Sequence, residues 1–186
     1  MKNAHFILDI HLKNVSSPLV RRVISVPQNI TLIKLSKVIN EAMGWYGYHL
    51  HMFTFGDEHY GEVFDLNDDY LIDQRRKQLQ KLLGGSKRFT YIYDFGDHWE
   101  HQIFVKESTQ LPPHPFFIIS ADGECPPEDC GGEPGYEELK RVISDPEDEE
   151  DEDEAEAEGG RRSQRKAAAA AAGSSSSSSS SSMSLD

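Results

Sequence analysis

Apolar and polar residues alternate across HFILDIHL, His5 to Leu12, with Phe6, Leu8, Ile10 and Leu12 on one side. That period of two predicts a half-buried strand. LVRRVISV, Leu19 to Val26, is rich in β-branched residues and lies between Pro18 and Pro27, which confine a second strand between them. The period then changes. Leu32, Leu35, Val38, Ile39, Ala42 and Met43 fall three and four apart, so the spacing predicts a helix capped by Thr31 and stopped by Gly44 in the left-handed region. Its single apolar stripe belongs against a sheet.

HLHMFTF, His49 to Phe55, returns to period two, with His49, His51, Phe53 and Phe55 on one face and Leu50, Met52 and Thr54 on the other. A short strand over 60–64, an acidic loop and a basic amphipathic helix near Arg76 to Leu83 follow. RFTYIYDF and WEHQIFVK then read as a hairpin turning through Gly96 and Asp97. An even loop puts Asp94, Trp99 and His101 on one face and Tyr91, Tyr93, Phe95 and Glu100 on the other; an odd loop or a bulge separates these sets. After Lys106 the prolines give a loop-like reading, and Tyr136 to Ile143 closes the domain as a short helix. Strands grouped with two or three helices on one side predict an α+β fold with a mainly antiparallel sheet.

Composition sets the limits of that domain. From Asp145 to Glu158 the chain carries eleven acids, RRSQRK follows with four bases, and runs of alanine and serine complete it. So few large apolar side chains cannot offset the entropy of ordering, which predicts a domain over 1–146 and a disordered acidic, basic, alanine-rich and serine-rich tail over 147–186. Residues 1–146 hold 21 acids against 15 bases, so most of the formal charge of −13 is not a property of the domain. A domain of net −6 lacks the basic footprint of a nucleic-acid binder. The one basic stretch, Arg75 to Arg88, follows four aspartates closely and reads as a solvated, balanced helix face. With no leader, no apolar run near 18 residues and only Cys125 and Cys130, the expectation is a soluble cytoplasmic protein with reduced thiols and no membrane partner. RRSQRK would serve as a nuclear address in a host with a nucleus.

The chemistry-bearing residues gather around the hairpin. Asp94, Asp97, Trp99, Glu100 and His101 are the candidate ligand-binding set, and a protein or small ligand is the expected partner. His49, His51, His98 and His101 are the candidate metal ligands, since imidazole with carboxylate suits zinc, iron or manganese. The competing reading, histidines hydrogen-bonded across a sheet and a core tryptophan, leads to no cofactor and no assigned catalytic residue. Cys125 and Cys130 are too sparse for a structural zinc site and describe a rigid turn. No phosphate loop, nucleophile elbow or zincin helix is present in the sequence. The balance leans away from an enzyme.

Three blocks in order, AMGWYGYHLHMF, YIYDFGDHWEHQI and CPPEDCGGEPGYEEL, resemble the plasmid pRiA4b ORF-3-like family of transposon passenger, TnpR-like proteins. The resemblance spans Phe6 to Pro146. It implies a small α+β domain carried on plasmids or mobile elements, hence a fold and an accessory or interaction role, with no reaction. Val20 stands where the family usually has tryptophan, Ser36 where a histidine is common, and Cys130 where an aliphatic residue is usual. The TnpR label raises serine recombination, with Ser16 and Ser17 near Arg21 and Arg22. An acidic domain with no separate DNA-binding segment argues against it.

Overall fold

A computed structural model describes residues 4–15, 18–64, 70–110, 112 and 114–144. The acidic loop at 65–69, Ser16 and Ser17, and the tail from 147 lie outside the described residues. The chain divides into two compact units, residues 1–125 and 126–186.

Among the described residues, the first unit builds an eight-stranded sheet in the order β5-β4-β3-β6-β7-β1-β2-β8. The strands are β1 His5–Leu12, β2 Arg21–Pro27, β3 His51–Phe55, β4 Glu58–Gly61, β5 Ile72–Asp73, β6 Arg88–Tyr93, β7 Trp99–Ser108 and β8 Phe117–Asp122. All pairings are antiparallel except β4 with β5. The expected α+β class and mainly antiparallel sheet are present. β5 and β8 were not anticipated: two residues carry no period, and FIISAD lacks the alternation that marks a half-buried strand. The basic helix shrinks to α2, Leu79–Leu82. The preceding residues form a strap, in which Leu32 N–H donates to Lys77 O and Leu79 N–H to Ile30 O.

One sheet face is the core. Cross-strand partners share a face, so the register sets Leu8 with Ile24 and Val105, Ile103 with Phe89, and Phe53 with Tyr91 and Tyr60. All of these are buried. Helix α1, Leu32–Met43, covers this face with the predicted stripe, and Gly44 takes φ 83 at its end. Thr31 occupies the N-cap, yet its side chain makes no capping hydrogen bond. The opposite face, carrying Asp9, His11, Gln102 and Phe104, is half-exposed or exposed.

Two neighbouring arginines of β2 point to opposite faces and do different work. Arg22 is buried under the end of α1, where its guanidinium donates to Ala42 O at 2.9 Å, to Arg21 O and Asp122 O at 2.8 Å each, and to Cys125 Sγ at 2.8 Å. The carbonyls at a helix C-terminus carry partial negative charge and suit a cation there. Burial outweighs the guanidinium's pull on Cys125 and pushes its thiol up to about 11. Arg21 lies on the open face, gripping Asp9 through Nε and an Nη at 2.6 and 2.8 Å. That pairing holds the Asp9 carboxyl below its usual range.

The second unit contains α3, Gly132–Ser144, which begins a turn before the expected Tyr136. Pro134 is tolerated in its first turn. Glu137 pairs with Lys140, and Glu138 with Arg141, three residues apart along the helix. Neither Cys125 nor Cys130 is in a disulfide among the described residues. No helix among the described residues is long and apolar enough to cross a membrane.

The two arginines give a test of which interaction carries stability. Arg22→Ala strips partners from buried carbonyls and costs about 2–3 kcal/mol. Arg21→Ala breaks a pair whose members are each one-third exposed, and costs under about 1 kcal/mol. Urea denaturation of the two variants checks the order; equal losses reject the assignment of Arg22 as the clamp.

Candidate functional site

The loop between α1 and β3 holds three aromatics among glycines, and its geometry starts with Trp45. Gly44 and Gly47, at φ 83 and 76, turn the chain in a region that L-residues rarely adopt. A Cβ on Gly47 would also sit 3.0 Å from Asn40 Nδ2. These turns drop Trp45 onto the sheet. Its ring stacks on Tyr93 at 5.0 Å, lies 6.2 Å from Trp99 and meets His101 edge-on at 5.4 Å, while the main-chain N–H of Trp45 donates to the main-chain carbonyl of Asn40 at 2.8 Å. Asn40 in turn accepts from the Tyr91 hydroxyl at 2.8 Å.

With Trp45 buried, the next aromatics face outward. Tyr46 is 89 % exposed and Tyr48 61 %, and their rings stack 6.4 Å apart at 14°. Tyr48 lies 4.4 Å from the His49 ring, which meets Tyr93 edge-on at 5.7 Å.

The hairpin loop reaches the same place. Tyr93 pairs with Trp99, so the loop is the five residues 94–98. An odd loop reverses the expected grouping: Tyr91, Tyr93, Trp99 and His101 share the core face, while Ile92 and Glu100 share the open one. The cause lies in the backbone. Asp94 and His98, at φ 57 and 56, both take the left-handed conformation, in which Asn, Asp and His are found more often than other non-glycine residues. Asp94 Oδ1 accepts from Gly96 N–H at 2.9 Å, and Asp94 O from His98 N–H at 2.6 Å. Asp94 N–H donates to Leu50 O at 2.9 Å, which moors the loop beside β3. The nearly buried Asp94 carboxylate thereby places Oδ2 3.5 Å from His49 Nε2.

The sequence-derived candidates are thus divided. Asp94 and His49 meet. Asp97 and the exposed His98 occupy the same loop; Phe95 beside them is 48 % exposed. Glu100 is on the open face. His51 Nε2 donates to Gln74 Oε1 at 3.1 Å, and burial lowers its pKa. Tyr91 stands between His51 and His101, with ring centroids 5.7 and 5.5 Å away. His101 is wholly buried, its Nδ1 lies 3.1 Å from Tyr91 O, and its Nε2 has no hydrogen-bond partner among the described residues. Desolvation brings its pKa down to about 4. Ser36, at the position of the family's helix histidine, donates to Ile33 O within its own helix. Period analysis passed over Trp45, Tyr46 and Tyr48; aromatics bracketed by glycines were the available signal.

The profile of the family described as Plasmid pRiA4b ORF-3-like protein matches residues 4–166. The chain belongs to this family. A relative, the uncharacterized protein y4hQ of Sinorhizobium fredii (strain NBRC 101917 / NGR234), is 38 % identical over 146 residues, 75 % of this chain and 73 % of its own. The crystal structure of a protein of unknown function, MM3350 from Methanosarcina mazei Go1, has the same fold, with a TM-score of 0.68 at 27 % identity, covering 77 % of this chain and 83 % of that one. For this pRiA4b ORF-3-like chain, the match takes in both loops of the candidate site.

The buried histidine makes a pH prediction with a definite sign. The folded state holds His101 neutral to about pH 4, whereas the unfolded chain protonates it near 6.5. The unfolded state therefore binds more protons between these values. His101's contribution is complete above about pH 6.5 and is lost as pH falls toward 4, a change of about 3 kcal/mol. Urea denaturation across this range should show that loss in the parent beyond whatever a His101→Gln variant shows. Identical pH slopes in the two would refute it.

Proposed function

We propose that this protein is a soluble accessory or interaction module, without catalytic chemistry of its own, that holds a partner on the aromatic loop 45–50 and the Asp94 loop beside it. The observation that carries this reading is the stacked pair Tyr46 and Tyr48, exposed at the surface while Trp45 fixes the loop from below. Exposed aromatics on a rigid anchor lose little entropy on binding and have the character of interface hot spots. Asp94 and Asp97 add carboxylates to these π-faces. The chemistry that fits is a basic protein segment, whose Arg or Lys heads stack on tyrosine and pair with the acids. The family's plasmid name supports a place beside mobile elements, and we assign the module to the cytoplasm.

Calorimetric titration with an arginine-rich peptide and with acidic and neutral counterparts tests this. The basic peptide should bind, and Tyr46→Ala with Tyr48→Ala should weaken it at least about tenfold, or about 1.4 kcal/mol. Asp94→Asn should also weaken binding yet unfold within about 1 kcal/mol of the parent, because asparagine keeps the acceptor for Gly96 N–H and tolerates positive φ. Unchanged affinity in both variants, or no preference for the basic peptide, refutes the reading.

The 3.5 Å approach of His49 Nε2 to Asp94 Oδ2 favours a second reading, a metal-dependent enzyme built beside the hairpin. Imidazole and carboxylate together suit zinc, iron or manganese. Elemental analysis of protein purified without an affinity tag separates the two. Stoichiometric metal that disappears in His49→Ala supports the enzyme; metal-free protein that binds the basic peptide supports the module.

A further inference from the structure

We propose that β8 is the seam of a homodimer, pairing antiparallel with β8 of a second copy of this chain across a twofold axis. This goes beyond the partner site above and depends on different residues. Among the described residues, β8 is hydrogen-bonded to β2 on one side and ends the sheet on the other. Sheet edges are ordinarily protected by shortness, by charge or by proline, because an unpaired edge templates another strand. The opposite edge has such protection: β5 is two residues long, and Asp73 in it is paired with Arg75 at 2.6 Å.

β8 lacks it. Its six residues, FIISAD, contain no lysine, arginine or proline. Phe117, Ile118 and Ile119 are exposed by 40, 42 and 49 %. Three consecutive residues necessarily present apolar surface on both faces of the strand. The register shift opposite Val23 and Ile24 leaves Ile119 without a partner on β2. Such a bulge bends a strand and can guard an edge; here it presents an isoleucine.

The main chain of an edge accepts an extended strand, and a second β8 is the occupant that the charges permit. A closed twofold contact sets the strand against itself. With the axis at Ile119, Ile119 faces its own copy, Phe117 faces Ala121 and Ile118 faces Ser120. Asp122, the strand's one charged residue, then lies opposite Phe116, clear of its own copy. It already has a counter-charge in Arg21, at 3.5 Å. A strand seam of this length sits at the small end of interfaces, so the dimer should form in a concentration-dependent way.

Sedimentation velocity of the full chain from micromolar to millimolar concentration tests the proposal. The parent should shift from monomer toward dimer. Ile119→Lys, which sets two like charges against each other on the axis, should remain monomeric throughout with an unchanged far-ultraviolet circular dichroism spectrum. Should that variant misfold, Ile119→Cys supplies the test: it should form an intermolecular disulfide on mild oxidation under conditions where the parent, with Cys125 and Cys130, does not. A parent monomeric at every concentration, a dimer that persists in Ile119→Lys, or an Ile119→Cys variant that cross-links no more than the parent overturns the proposal.

Discussion

The seating of Trp45 on the sheet is the interaction from which the outer arrangement follows. The indole fills the space over Tyr93, Trp99 and His101, so it removes a large apolar area from water and closes the core beyond the end of α1. Everything outside it inherits its position. A loop anchored by a buried ring has few ways to place its next residues, and the turns at Gly44 and Gly47 leave Tyr46 and Tyr48 exposed while Trp45 is buried. The same anchor brings His49 over Tyr93 and within reach of Asp94. The surface aromatics therefore owe their position to core packing.

Polar groups in this core are arranged so that few carry charge. Tyr91 and Asn40 satisfy each other, and His101 is held neutral by full desolvation. The buried guanidinium of Arg22 is satisfied by main-chain carbonyls and a thiol. These carbonyls come from α1, from β2 and from the end of β8, so one side chain links segments far apart in sequence. A carboxylate partner would have added a second desolvation cost. Carbonyl oxygens at a helix end supply part of the same attraction at fixed positions.

Where burial was one-sided, the sequence was legible. Phe6, Leu8, Ile10 and Leu12 in β1, and the stripe of α1, announced their faces because water and core select opposite residues at a regular period. Phe53 and Phe55 did the same for β3. β8 was illegible for the complementary reason: its residues are mostly exposed on both faces, so no alternation was selected. The hairpin was recognised and its parity missed. Parity depends on whether Asp94 and His98 adopt positive φ, a choice made by side-chain hydrogen bonds inside the turn that hydropathy does not encode. The candidate site suffered the same fate: Asp94 was legible as a residue of interest, whereas its neighbour His49 depended on a pairing of β3 with β6 that no local pattern fixes.

The Asp94 turn then raises the question of why a strained loop joins such a well-packed pair of strands. Two-residue turns with Asn-Gly or Asp-Gly fit the twist of a hairpin without placing Asp and His in the left-handed region. This chain has a Gly-Asp pair at 96–97, yet it spends five residues and two positive φ values on the connection. A shorter turn joining the same strands would remove Asp94 from its position under His49 and beside Leu50. Strain of this kind persists when surrounding structure over-determines it, and it concentrates where a side chain must be aimed. The moorings are visible: main-chain bonds from Asp94 to Leu50 and from His98 to Asp94, and a side-chain bond to Gly96. They hold a carboxylate at the edge of an aromatic surface, an expense that hairpin closure alone does not require.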